Sequence, residues 1–230
     1  SKKKYQIIAT GRNRAFDDQF KQLGIKFIPG DLVDSQFVES IVKDIDIVIH
    51  CAALAAPFGL WEHFYTANVV STQNIAEACK KYKIKRLIHI STPSIYFNGQ
   101  PRLNVLESEP LPEPRTYYAK SKIMAEEIID QLKGTGVETI ILRPRAIFGP
   151  TDQVLLPRIL RLMKKGRFPL FNRGNALIDL TFVDNVVHAI ELSLNASEDA
   201  LYKKYNITNG EPRKVVEICK EIQNGLKLKV

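Results

Sequence analysis

A chain of 230 residues is long enough to bury a substantial core, as one large domain or as a main domain with a smaller lobe. Its hydrophobic fraction of 45%, charged fraction of 25% and aromatic fraction of 9% sit near globular averages, which excludes a disordered chain. No apolar run reaches the roughly 20 residues that cross a bilayer. The formal net charge of +8 is spread over Lys2–Lys4, Lys80–Lys85, Lys164–Arg167 and the tail, among acidic residues and without the aromatic-basic interleaving of a nucleic-acid surface, so no nucleic-acid partner is expected.

Short apolar runs alternate with helical patterns along the chain, which predicts an α/β fold: a doubly wound parallel sheet covered by helices on both faces. Tyr5–Thr10 (YQIIAT) is the first strand candidate, followed by Lys26–Ile28. Asp34 is a predicted N-cap for a helix that buries Phe37, Val38, Ile41 and Val42. Ile45–His50 (IDIVIH) is the next strand, Glu62–Lys83 a longer helix and Arg86–Ser91 (RLIHIS) a buried strand. In the stretch Tyr117–Lys133, Ala125, Ile128, Ile129 and Leu132 recur at helical spacing, opposite Glu126, Glu127 and Asp130.

Glu138–Leu142 is a further strand. After Gly149-Pro150 the alternation loosens into a basic helical stretch, Leu155–Lys165, and a loop rich in Gly, Asn and Arg. Another helix and a strand at Tyr205–Thr208 follow. The expected division is a main domain over residues 1–150 and a small lobe over 151–230, with 181–208 returning to the main domain. Cys51, Cys79 and Cys219 are odd in number, far apart and in apolar surroundings, which predicts buried thiols in a reducing compartment. No CxxC or Cys/His cluster offers a metal site.

The sharpest local signal is Tyr117-Tyr118-Ala119-Lys120-Ser121-Lys122. Residues four apart share a helix face, so Tyr118 and Lys122 are neighbours. An adjacent ammonium favours the phenolate, and such a pair can exchange a proton with a substrate oxygen near neutral pH. Upstream, a buried strand ends in Ser91-Thr92-Pro93-Ser94-Ile95-Tyr96; downstream, another ends in Leu142-Arg143-Pro144-Arg145-Ala146-Ile147-Phe148-Gly149-Pro150.

In this order, with His50-Cys51-Ala52-Ala53-Leu54 after a strand, the motifs resemble the extended short-chain dehydrogenase/reductases, the NAD-dependent epimerase/dehydratase superfamily. Trp61–Asn68 (WEHFYTAN) and Asp179–Val186 (DLTFVDNV) are similar to its 3-beta-hydroxysteroid dehydrogenase/isomerase branch. The resemblance spans nearly the whole chain. It implies a Rossmann-like fold, a bound nicotinamide dinucleotide and a homodimer in the cytoplasm, joined through helices Glu62–Lys83 and Tyr117–Lys133. It implies further that Thr92 hydrogen-bonds the reacting oxygen, that Tyr118 is the general acid/base, and that Lys122 lowers the tyrosine's pKa and holds the nicotinamide ribose.

Asn68, Asp31, Leu32, Cys51, Ala52, Ala53, Pro144 and Arg145 match positions that border the dinucleotide. Capping by Thr92, a structural amide at Asn68 and simple packing by Cys51–Ala53 remain open. Ser94, Trp61 and Phe148 are candidates for substrate contact, with Phe58, Phe97 and Phe171 beside them; Ser94 as a loop cap and the aromatics as core are the alternatives. Gly11 ends the first strand where an NAD-specific sheet places a carboxylate, and Arg12 follows it, with Arg14 near by. A guanidinium there suits a 2′-phosphate, so NADP(H) is expected over NAD(H).

Ala9-Thr10-Gly11-Arg12 contains no GxxGxxG, and the strand it closes reads as the second of such a sheet. A preceding strand with its glycine-rich turn is therefore expected beyond these residues, and the end at Lys227–Val230 suggests more chain on that side. Three functions compete: an oxidoreductase interconverting a hydroxyl and a carbonyl on a hydrophobic, steroid-like substrate; a nucleotide-sugar epimerase; and a non-catalytic dinucleotide sensor. Pro93 and Ser94 stand where a dehydratase would carry acidic residues.

Overall fold

The structure, a computed structural model, describes residues 5–152, 155–164 and 174–226. Phe171, Lys2–Lys4, Lys165–Arg167 and Lys227–Val230 lie outside them. The chain divides into two units: Ser1–Ile141 with Ser197–Lys203, and Leu142–Ala196 with Lys204–Val230.

In the first unit, β1 (Ile8–Gly11) and β2 (Lys26–Pro29) pair in parallel, with the short helix α1 (Asp17–Gln22) between them. Gly30 ends β2 against the ring of Phe37, so close that a Cβ would come within 2.2 Å of Phe37 Cζ. Asp34 then caps α2 (Ser35–Val42): its carboxylate accepts from the N–H groups of Gln36 and Phe37, at 2.9 and 3.1 Å, and satisfies donors that the first turn leaves free.

A second sheet runs in the order β3-β4-β5-β9, where β3 is Ile47–His50, β4 is Arg86–Ile90, β5 is Glu138–Pro144 and β9 is Lys203–Ile207. β3 and β4 are parallel, as expected for a βαβ unit. Residues of β5 and β9 are divided between the two units. β4 is buried along its length despite two polar side chains; Arg86, at its start, pairs with Glu138 at 2.5 Å.

The helical stretch between β3 and β4 is three consecutive pieces: α3 (Trp61–Phe64), a π-helical turn (Tyr65–Val70) and α4 (Ser71–Lys81). Helix α5 (Tyr117–Asp130) is capped by Thr116, whose side chain accepts from Ala119 N–H. The core joins the apolar faces of α2 (Val38, Val42), α4 (Ile75, Cys79) and α5 (Ile129) to Leu87 and Ile141 of the sheet. Those helix faces are the ones their 3.6-residue periodicity points inward.

In the second unit β6 (Ile147–Phe148) pairs in parallel with β8 (Thr181–Phe182), and β7 (Leu177–Ile178) pairs antiparallel with β10 (Arg213–Lys214). Helices α6 (Leu155–Lys164), α7 (Val183–Leu194) and α8 (Val215–Gly225) complete it. A cavity of about 370 Å³ is lined by apolar side chains that include Phe148, Leu155, Ile159, Leu180 and Ile218. Among the described residues no helix is long and apolar enough to cross a membrane.

Candidate active site

The site is built where β3 and β4 end. Their parallel register sets His50, the last residue of β3, opposite His89, the next to last of β4. The strand ends release Cys51–Ala53 on one side and Ser91–Thr92 on the other, the place where open α/β sheets bind ligands.

Cys51, Ala52 and Ala53 are exposed, and nothing larger than a thiol projects from them. For Cys51 the structure corrects the expectation of a buried thiol: the chain has just left the sheet there, whereas Cys79 is buried in α4 and Cys219 lies between the two extremes. Crowding by the surrounding protein still pushes the Cys51 thiol upward, and the charge of Lys122 opposes that shift.

The path after Ala53 is clamped by Asn68 from the π-helical turn. Asn68 Oδ1 accepts from Leu54 N–H at 2.6 Å, and its Nδ2 donates to Leu54 O at 3.2 Å and to Ser121 Oγ at 2.9 Å. Ser121 Oγ in turn donates to Tyr118 O. One buried amide thus ties the loop after β3 to the first turns of α5. Just beyond it, the Ser71 and Thr72 hydroxyls donate back to the carbonyls of Ala67 and Asn68.

Thr92 caps the 3-10 turn Pro93–Tyr96 and also faces the tyrosine. Its Oγ1 accepts from Ser94 N–H at 3.2 Å and donates to Ser94 Oγ at 3.1 Å, and Thr92 lies near enough to Tyr118 to act on its hydroxyl. Burial raises the Tyr118 pKa, and the neighbouring Thr92 counteracts it.

Lys122 is held at the end of β4: its ammonium lies within 3.1 Å of His89 Nε2 and donates to Ile90 O at 2.8 Å. Lys122 is 2% exposed, and burial lowers its pKa to about 8 against the opposing charges of Glu126 and Cys51.

Arg12 and Asp31 are both exposed, and their charged groups approach to 3.8 Å. Asp31 Oδ1 accepts from Val33 N–H, and Leu32 O accepts from Asn74 Nδ2. Trp61 stacks at a tilt on Tyr65 and Tyr117, with Lys120 Nζ 4.8 Å above its ring. Phe58 and Phe97 are exposed, and Ser94 is exposed beside Thr92. In the second unit Pro144 is buried at the end of β5, Arg145 N–H donates to Ile207 O, and Phe148 meets Phe182 edge-on while lining the cavity.

These side chains fit a dinucleotide in part. The exposed small residues after β3 let a ring or ribose approach the backbone, and the hydroxyl pair with a buried lysine one turn along offers donors to a ribose and a carbonyl. The glycine-rich turn that holds a pyrophosphate is not in this sequence. Residues 1–208 match the NAD dependent epimerase/dehydratase family.

The chain belongs to that family. It is of the extended short-chain dehydrogenase/reductase type, a type of NAD-dependent enzyme. This family member is 32% identical to a 2-alkyl-3-oxoalkanoate reductase of Stenotrophomonas maltophilia, over 95% of the chain and 67% of that protein. It is 34% identical to the bovine sterol-4-alpha-carboxylate 3-dehydrogenase, decarboxylating, over 88% of the chain and 59% of that enzyme. In fold it resembles the UDP-glucuronic acid 4-epimerase of Bacillus cereus, solved in complex with NAD, with a TM-score of 0.84 at 21% identity; the match covers 99% of the chain and 78% of the epimerase.

Sequence reasoning gave no role to His89 or to the buried Ser91–Glu126 contact, in which Ser91 Oγ donates to Glu126 Oε1 at 2.5 Å. A signal was present in both. His89 is a polar residue inside an apolar strand run, and Glu126 sits one turn after Lys122 on the same helix.

Proposed function

We propose that this chain catalyses NAD(P)-dependent interconversion of a carbonyl and a hydroxyl on a hydrophobic substrate, with NADP(H) preferred. The observation that carries this reading is the proximity of the Thr92 and Tyr118 hydroxyls at the end of β4, with Lys122 one turn further along α5.

In the reductive direction the Tyr118 hydroxyl gives its proton to the carbonyl oxygen, while Thr92 holds that oxygen by a hydrogen bond. Burial keeps the tyrosine protonated and ready to donate. The dinucleotide would supply the hydride when bound, and Cys51–Ala53, Asn68, Lys122, Asp31 and Leu32 would hold it, with Pro144 and Arg145 as further candidates. Ser94, Trp61 and Phe148 are the candidates for substrate contact. A 2-alkyl-3-oxo acid and a 3-ketosterol are the substrate classes suggested by the relatives' names. The reading extends to a homodimer through α3, α4 and α5, where Tyr65 and Tyr117 are exposed, and to a cytoplasmic location, which free cysteines suit.

The test is to offer the full-length protein NADPH with a 2-alkyl-3-oxo acid, with a 3-ketosterol and, separately, with UDP-glucuronic acid plus NAD. Ketone-dependent NADPH oxidation is expected, and Tyr118→Phe should lower kcat by about 10²-fold, the size of one positioned acid/base group. Epimerisation of the sugar without net oxidation, or full ketone reduction by Tyr118→Phe, would overturn the proposal.

A further inference from the structure

A buried ammonium needs acceptors, because charge removed from water without them is strongly disfavoured. Lys122 is 2% exposed and has three N–H donors. Among the described residues two acceptors meet them: Ile90 O at 2.8 Å and His89 Nε2 at 3.1 Å. The carbonyl is supplied by any residue at position 90. The imidazole is a property of this sequence.

His89 is fully buried in β4, and its Nδ1 finds no hydrogen-bond partner among the described residues. With an ammonium facing Nε2, that nitrogen must present its lone pair, so the proton resides on Nδ1. The ring therefore spends its one satisfied polar atom on Lys122 and leaves the other unpartnered. Burying an unsatisfied donor is costly, and a valine or isoleucine would suit the strand better if packing were the ring's only task.

We propose that His89 is the positioning residue of Lys122: its Nε2 accepts from the ammonium and, with Ile90 O, fixes where that charge stands at the end of β4. This rests on the reading of Lys122 as the lysine of the reaction. The surroundings keep His89 an acceptor. Burial and the charge of Lys122 hold its pKa well below 6.5, and the neighbouring His50, 5.1 Å away between ring centroids, is lowered to about 3 by the same two causes.

Every element packed on the ammonium adds a group. Glu126 faces it from α5, Cys51 from the loop after β3, His50 from β3 and His89 from β4; Glu126 and Cys51 favour the charged lysine. Loss of the His89 acceptor removes a further support from the ammonium. The lysine then deprotonates at lower pH and its position relaxes.

The experiment combines nuclear magnetic resonance with kinetics on the full-length protein. In the wild type, ¹⁵N shifts should show His89 Nε2 unprotonated and Nδ1 protonated, with a titration step near pH 8 that Lys122→Met abolishes. His89→Leu should lower kcat about tenfold and move the alkaline limb of the kcat profile down by about one pH unit, as for loss of one hydrogen bond to a charged group. His89→Gln, whose side-chain oxygen can accept in place of Nε2, should restore most of both. A protonated Nε2 in the wild type, or a His89→Leu enzyme with unchanged kcat and alkaline limb while Lys122→Met is inactive, would overturn the inference. A fully active Lys122→Met would instead sink the lysine's role in the reaction, and the ¹⁵N shifts would still decide the contact.

Discussion

At the scale of single residues, the proposed preference for NADP(H) rests on Arg12, which stands beside Asp31. At 3.8 Å, with the two side chains 73% and 49% exposed, the pair contributes little to stability, and water screens it. The guanidinium is consequently free to turn toward a phosphate, which it can bind with two parallel hydrogen bonds. Arg12→Ala should weaken NADPH binding by about tenfold and NADH binding far less, measured as dissociation constants by fluorescence titration. Equal losses for both would remove Arg12 from 2′-phosphate recognition. Gly11 and Arg12 were readable as a candidate pair from their place after a strand; the carboxylate of Asp31 beside them was not, because β2 and its following loop had to fold back first.

At the scale of elements, local chemistry reproduced itself closely. Asp34 was readable as a cap because a short carboxylate before an apolar helical period can satisfy the free N–H groups of a first turn, and it accepts from two of them. Asp34→Ala should lower the unfolding free energy by about 1 kcal/mol in a urea titration, while Asp34→Ser should recover most of the loss. A smaller effect than a few tenths of a kcal/mol would mean that α2 is held by packing of Val38 and Val42 alone. The π-helical turn at Tyr65–Val70 had no such signature. The apolar period of 3.6 runs through it, and one wider turn changes only which side chain is aimed at the loop after β3. That side chain is Asn68, whose role as clamp depends on where Leu54 and Ser121 arrive.

At the scale of the whole molecule, the two neutral histidines tie folding to pH. His50 and His89 are both buried, with pKa values lowered to about 3 and well below 6.5 respectively. The unfolded chain binds protons at these positions near pH 6.5, and the folded chain does so only at far lower pH, so stability falls as the pH drops from about 6.5 toward 3. The unfolding midpoint in urea should decline across that window, and a variant carrying both His50→Gln and His89→Gln should show a shallower decline. Parallel slopes for the two proteins would show that carboxylates alone govern acid unfolding.

Sequence by itself determined the α/β class, the main strands and helices of the first unit and the apolar faces of α2 and α5, though not the burial of Glu126. Each of these depends on spacing within one element, through the periods of strand and helix and through capping. Tertiary structure alone decided where the lysine's charge went. A one-residue slip of β3 against β4 would turn every side chain of one strand to the other face, so only the register that sets His50 beside His89 fixes which groups lie beneath α5. In that register Lys122 meets His89 and Ile90, while Tyr118 meets Thr92. Residues 33 and 32 positions apart in the chain supply the lysine's partners, and no local pattern records contacts at that range.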